Sequence, residues 1–314
     1  MKPIRAPLPQ NNSSGAIHPT YCTTGVPPVK TALLLSAILK EGGAYLKGRK
    51  VEEPRLCAEI ILAHLLKLRR IDLYLYPEKE VAERKRFLFK TLLARRARGE
   101  PLQYLTGEVI FCGLAFRVRR GVFIPRPETE LLAQTVLDKI SGFRGKKRIL
   151  EVGTGCGAIG LTLARLSKTK ILLIDNSLPA VKTARENRRR LRIRNKRVRI
   201  QREDFSLFAG RTGRRFEMIV SNPPYVPLAE RRNLSREVRR EPGRALFGGP
   251  DGLRFIRILI TESRRILTAD GYLIFEIGCG QTEKTVSLLE KTCFKLEKVI
   301  KDLAGIDRVI VARK

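Results

Sequence analysis

The stretch from Arg148 to Ala164 constrains this chain more than any other. Arg148-Ile149-Leu150-Glu151-Val152 has the short apolar pattern of a buried strand, Gly153-Thr154-Gly155-Cys156-Gly157 follows at once, and residues 158–164 read as the start of a helix. Strand, glycine turn and helix in that order form the entry unit of a doubly wound nucleotide-binding sheet. The glycines permit φ > 0 and let a ligand approach backbone, while the helix N-terminus offers unpaired N–H donors. The next strand pattern, residues 170–174, ends in Asp175, where such sheets hold the two hydroxyls of a ribose. Asp175 suits the N-cap of a helix over residues 177–191 as well.

A second constellation lies downstream. Residues 216–221 form an apolar strand pattern that ends at Asn222-Pro223-Pro224-Tyr225. Two consecutive prolines fix φ and supply no N–H, so their carbonyls are free to accept hydrogen bonds. Asn222 adds an amide with one acceptor and two donors, and Tyr225 adds an aromatic face for stacking. Such a group of four suits a planar –NH2, with acceptors for both hydrogens and a ring above it. By itself the tetrapeptide also reads as a Pro-rich turn after a strand. Glycine turn, acidic residue and tetrapeptide in this order favour a site.

With these motifs in this order the chain resembles a class I S-adenosylmethionine-dependent methyltransferase, and more narrowly the HemK/PrmC family. The resemblance runs from roughly residue 90 to the C-terminus. It includes residues 99–107 (GEPLQYLTG), 123–132 (FIPRPETELL), Glu241-Pro242 with Ala245-Leu246, 249–253 (GPDGL) and 302–308 (DLAGIDR). Ribosomal-protein glutamine methyltransferases share the tetrapeptide but typically break the PRPETE segment, which is intact here. DNA adenine-N6 methyltransferases share the tetrapeptide type without that segment. The resemblance implies methyl transfer to the side-chain nitrogen (N5) of the glutamine in the Gly-Gly-Gln motif of peptide chain release factors. A DNA or RNA adenine methyltransferase, and a non-catalytic RNA- or ribosome-binding protein on the same scaffold, are the alternatives.

The same resemblance assigns residues. Gly153, Thr154, Gly155 and Gly157 pack near the methionine and sugar of the cofactor, with Cys156 a small residue in the turn. Glu151 lies near the cofactor's amino-acid end, where a relative more often has Asp. Asp175 accepts from the ribose, Asp204 and Phe205 flank the adenine, and Asn222 borders cofactor and substrate alike. The Asn222 oxygen and the Pro223 carbonyl accept from the substrate amide, next to Pro224, and Tyr225 holds the amide plane. Arg126 and Glu128 sit in a loop between prolines that either closes over cofactor or substrate, or is a rigid linker.

Composition sets limits. The 314 residues carry 63 Lys+Arg against 31 Asp+Glu, a formal net charge of +32. Such a cation attracts polyanions non-specifically at low salt. The densest basic block, residues 182–202, is a docking face for RNA or an acidic partner, or a solvated helix surface; its scarcity of aromatics weakens base stacking. Six cysteines show no C-x-x-C spacing, so neither a zinc site, any other metal site nor a disulfide framework is expected, and a reducing cytoplasm is the expected compartment. No apolar run approaches a membrane span. A monomer is expected.

Residues 1–29, rich in Pro, Asn, Ser and Gly, read as a disordered extension without a secretory signal. Residues 30–98 read as a helical domain, with Thr31 as N-cap of a first helix, Gly42-Gly43 as its stop, Pro54 opening a second and residues 80–93 a third. The resemblance gives this domain the role of holding the protein substrate. Residues 99–125 read as a linking hairpin and 126–314 as the methyltransferase domain. Later strand patterns at 272–277, 294–300 and 308–312 alternate with helices at 253–267 and 281–289, an α/β architecture of about seven mostly parallel strands with an antiparallel end.

Overall fold

The computed structural model describes residues 34–142, 148–167 and 169–314. Five helices come first: α1 (Leu35–Lys47), α2 (Pro54–Leu66), α3 (Asp72–Leu75), α4 (Glu83–Ala97) and α5 (Leu102–Thr106). A hairpin follows, β1 (Glu108–Phe111) and β2 (Leu114–Arg117), turned by Cys112 and Gly113 at φ 47° and 72°, the paired positive φ of a tight hairpin. Then come α6 (Thr129–Gly142), β3 (Arg148–Val152), α7 (Ala158–Leu166), β4 (Lys170–Asp175), α8 (Leu178–Arg190), β5 (Val198–Arg202), α9 (Phe205–Arg211) and β6 (Phe216–Ser221). The chain ends with α10 (Arg254–Ile266), β7 (Leu267–Glu276), α11 (Thr282–Lys291), β8 (Lys295–Lys301) and β9 (Asp307–Arg313).

Seven strands form one sheet in the order β5-β4-β3-β6-β7-β9-β8. The first five are parallel neighbours, and β9 runs antiparallel to both β7 and β8. Alternation along each strand builds a core on either face. Ile149, Ile171, Leu173, Met218 and Val220 pack with α6, α7 and α8, whereas Leu150, Leu172, Ile174 and Ile219 pack with α9 and α10. The strand order reverses between β3 and β6, so a crevice opens beyond their carboxyl ends. Glycine turn, Asp175, Asp204 and Asn222 all lie at or just beyond carboxyl ends of parallel strands, which is why one crevice collects them.

The helices have a core of their own, with Leu35, Leu46, Ile61, Leu62, Phe89 and Leu93 nearly or fully buried. Residues 1–29 and the expected cap Thr31 lie outside the described residues. Contrary to the stop expected at Gly42-Gly43, α1 runs through both glycines to Lys47. A Cβ on Gly42 would lie 2.7 Å from the Phe89 ring. Glycine therefore lets α4 approach α1 closely, and the aromatic contact outweighs the helix-breaking tendency. Pro54 does open α2.

A long segment between β6 and α10 ties helices to sheet. Buried Arg96 on α4 pairs with Glu237, and Arg240 Nη2 donates to the Arg98 carbonyl at 2.9 Å. Glu241 accepts from Ile124 N at 2.9 Å and pairs with Arg126. Glu100 accepts from Arg95 and Arg120, which hold its carboxyl down at about 2.

Candidate active site

The crevice begins with the glycine turn. Gly153 and Thr154 both donate N–H to the Ile174 carbonyl, at 3.0 and 3.1 Å, pinning the turn to the end of β4. Gly155 sits at φ 58°, and a Cβ there or on Gly153 would meet no atom within 4 Å. The turn thus leaves open space above backbone. Gly157 is glycine for a different reason, because at φ 87° its Cβ would also press on Leu161 at 2.8 Å.

Acidic groups line this space. Asp175 is anchored through both oxygens: Oδ2 accepts from Gly155 N at 2.9 Å and Oδ1 from Ser177 N at 2.8 Å. Ser177, not Asp175, occupies the N-cap of α8, so the capping alternative is replaced by an anchored carboxylate with lone pairs left over. Burial raises its carboxyl above the usual range. Glu151 is 1% exposed, and its Oε2 accepts from Thr154 Oγ1 at 2.6 Å and Gly160 N at 3.2 Å. Burial pushes it up to about 8, and the neighbouring Cys156 thiol up to about 12. Asp204 caps α9, its Oδ1 accepting from Ser206 N and Leu207 N, and Phe205 follows it in the lining.

At the other side stands the tetrapeptide. Ser221 Oγ donates to the Val152 carbonyl at 2.9 Å, locking the end of β6 to β3. Asn222 Nδ2 donates to Thr129 Oγ1 at 3.0 Å, so its Oδ1 is turned away as the acceptor. Tyr225 donates its hydroxyl to Glu276 Oε1 at 2.9 Å, while its carbonyl accepts from Gln281 Nε2 at 2.8 Å. A Cβ on Gly252 would lie 2.2 Å from that carbonyl, and one on Gly248 2.6 Å from the Pro224 carbonyl. The glycine-rich segment before α10 therefore lies directly on the tetrapeptide.

The crevice brings together Glu151, Gly153, Thr154, Gly155, Cys156, Asp175, Asp204, Phe205, Asn222, Pro223 and Pro224. Gly157, Tyr225 and Arg126 stand outside its lining. Arg126 is held by Glu241 and lies over the Phe123 ring, 5.1 Å from its centroid. Sequence reasoning gave no role to Phe123, Thr129 or Arg244, which do line the crevice, or to Glu276. A carboxylate closing an otherwise apolar strand was the available signal for Glu276. In a chain of charge +32 the lining holds four acidic side chains, Asp175, Glu203, Asp204 and the Glu151 that burial keeps neutral, against one guanidinium, Arg244. Among the described residues no His/Cys/Asp/Glu group is arranged to hold a metal ion, and no helix is long and apolar enough to cross a membrane.

Comparison with known proteins matches residues 37–107 to the PrmC N-terminal domain and residues 114–249 to the methyltransferase small domain. The chain is 42% identical over 284 residues to the release factor glutamine methyltransferase of Nitratidesulfovibrio vulgaris, covering 89% of this chain and 95% of that protein. It is 36% identical over 284 residues to the protein of the same name from Clostridium botulinum, covering 90% and 100%. Among solved structures it is similar to ribosomal protein L11 methylase from Lactobacillus delbrueckii subsp. bulgaricus, with TM-score 0.46 and 20% identity over 63% of this chain and 85% of that one.

Proposed function

The chain belongs to the release factor glutamine methyltransferase family, and on that basis we propose that the atom methylated is N5 of the glutamine in the Gly-Gly-Gln motif of peptide chain release factors. It is an S-adenosylmethionine-dependent protein glutamine methyltransferase. The observation that carries the finer reading is the orientation of Asn222, whose nitrogen is committed to Thr129 and whose oxygen is left to accept.

The crevice suits the cofactor. Open space above Gly153 and Gly155 admits a ligand against backbone, and an acid-rich lining suits a cationic one. Glu151, Gly153, Thr154, Gly155 and Cys156 would border its amino-acid and sugar parts, with Gly157 supporting the turn. Asp175 would take the ribose, and Asp204 with Phe205 the adenine. When bound, S-adenosylmethionine supplies a methyl group on a positively charged sulfur.

What the chain does is hold the acceptor. An amide nitrogen is a poor nucleophile because its lone pair is delocalised into the carbonyl. Asn222 Oδ1 and the Pro223 carbonyl accept its two N–H bonds, which fixes the nitrogen and shifts density onto it. A site with two such acceptors rejects groups that leave them unpaired. Pro224 stiffens the segment, and Tyr225, with its hydroxyl on Glu276, adds rigidity from outside the crevice rather than a stacking face. Arg126 shapes the substrate side through Glu241. The described cysteines Cys57, Cys112, Cys156, Cys279 and Cys293 carry free thiols, which supports a reducing cytoplasm.

The test is methyl transfer from labelled S-adenosylmethionine, offering release factors beside DNA and RNA at moderate salt. Label is expected in the intact factor and absent from one whose Gly-Gly-Gln glutamine is replaced. Label in nucleic acid instead would overturn the reading, and the acid-rich lining argues against it.

A further inference from the structure

We propose that Asn187 is a positioning residue for the cofactor: one buried amide ties the glycine turn to the end of the hairpin and so spaces two walls of the crevice. This rests on the reading of the glycine turn as the place where S-adenosylmethionine binds.

Asn187 lies within α8 and is fully buried, an unfavourable place for an amide unless every polar group is paired. Register explains what it meets. Val118 N donates to the Gly107 carbonyl at 3.0 Å, and Arg117 stands opposite Glu108. Inter-strand bonds alternate along an antiparallel pair, so Arg117 turns its own N–H and carbonyl outward from β1. The Asn187 amide completes that edge as a further strand would. Its Oδ1 accepts from Arg117 N at 2.7 Å, and its Nδ2 donates to the Arg117 carbonyl at 2.9 Å. The second Nδ2 proton goes to the Cys156 carbonyl, also at 2.9 Å. Both donors and the acceptor of the amide are thus used.

The bridge joins two parts of the crevice lining. Gly155 and Cys156 line it from the glycine turn, and Gly121, Val122 and Phe123 line it from the stretch that follows the hairpin. Cys156 sits between Gly155 at φ 58° and Gly157 at φ 87°. Glycine takes either sign of φ at little cost, so the peptide joining Cys156 to Gly157 has little intrinsic preference for one orientation. Gly157 N donates to the Thr154 carbonyl at 2.8 Å, and Asn187 holds the carbonyl end of the same peptide. Without the amide, that carbonyl and both Arg117 groups lose their partner. Parting the hairpin from the turn and admitting water relieves the cost. The cofactor then meets a crevice whose two walls no longer keep one spacing, whereas the tetrapeptide, at the end of β6, is untouched.

The experiment measures S-adenosylmethionine affinity by calorimetry, kcat and KM for release-factor methylation, and thermal melting, for wild type, N187A, E186A and G42A. N187A is expected to lose about tenfold or more in cofactor affinity. The KM for S-adenosylmethionine should rise to match, with kcat at saturation within about threefold of wild type. E186A removes the partly exposed pairs of Glu186 with Arg117 and Arg119 but leaves the bridge, and should bind cofactor within about twofold of wild type. G42A lowers the melting temperature from the helical core and should also bind within about twofold. Should N187A fail to fold, wild type decides by hydrogen exchange. Arg117 does not line the crevice, yet added S-adenosylmethionine should slow exchange of its amide by a larger factor than that of the α4 amides. Wild-type affinity in N187A, a loss confined to kcat, an equal loss in E186A or G42A, or Arg117 protection no greater than that of α4 would each overturn the proposal. Wild type without measurable affinity for S-adenosylmethionine would instead overturn the cofactor reading beneath it, a result distinct from any of these.

Discussion

At the scale of single residues, two substitutions should separate chemistry from cofactor binding. Asn222→Ala removes the acceptor without touching the glycine turn, so turnover should fall by roughly 100-fold or more while cofactor affinity by calorimetry stays within a few-fold. Asp175→Ala should do the reverse, losing cofactor affinity first; unchanged affinity would return Asp175 to the role of bracing Gly155 and Ser177. Glu151 yields a pH prediction. Its folded carboxyl is raised to about 8 from an ordinary 4.5, so between those values the unfolded chain gives up its proton before the folded one does. Stability of the cofactor-free protein should therefore fall as pH rises through this window. Glu151→Gln removes that fall, leaving the variant ahead at pH 8.5 by up to about 5 kcal/mol and close to wild type at pH 5 in urea titrations. Parallel curves at both pH values would show that Glu151 ionises normally. Much of this site was legible in the residues, because glycine turn, Asp175 and Asn222 each end a strand pattern and strands of this kind lie side by side. Thr129 and Glu276 were not, since Asn222 meets Thr129 and Tyr225 meets Glu276 only once α6 and β7 stand beside β6. The ion pair of Arg126 was hidden for the same reason: its partner, Glu241, is far away in sequence.

At the scale of elements, α1 shows how a local rule loses to a distant contact. Gly42-Gly43 is a stop signal by itself, yet Phe89 of α4 fills the notch at Gly42. The two glycines should respond in opposite ways to alanine. Gly42→Ala puts a methyl group inside the Phe89 ring's space and should destabilise by about 1–3 kcal/mol. At Gly43 the nearest atom to a new Cβ is the Arg55 Cα, at 3.7 Å, so alanine fits and should stabilise by about 0.5–1 kcal/mol. Thermal melts of the two variants check this, and a shared sign would mean that α1 and α4 do not meet closely. The basic block is also an element-level feature. Arg185 donates to the Ile200 carbonyl at 3.0 Å, Arg188 to Val198 at 3.1 Å and Arg202 to Asn176 at 3.1 Å. Arg185 and Arg188 fasten α8 to β5, the edge strand, Arg202 ties the end of β5 to the loop before α8, and exposed Arg199 on β5 discourages another strand from pairing there.

At the scale of the molecule, charge is divided by place, basic over the chain and acidic inside the crevice. Retention on heparin or random DNA should be strong at low salt and fall steeply by about 0.2 M. Release-factor turnover should depend on salt less steeply than that retention, because the crevice itself attracts no polyanion; equal salt slopes for the two would place the acceptor on a polyanion. The fold class followed from the alternation of strand and helix patterns, whereas the docking of helices on the sheet did not, because it rests on pairs such as Arg96 with Glu237 that join distant stretches. That docking has a calorimetric consequence. The segment between β6 and α10 carries the tetrapeptide at one end and holds α4 in its middle, so melting the helical core strips an ion pair from the segment that walls the crevice. Heat should therefore produce one endotherm for both cores, with calorimetric and van't Hoff enthalpies in agreement, and added cofactor, taken up in the crevice beyond the strand ends, should raise the melting temperature of the helices as well.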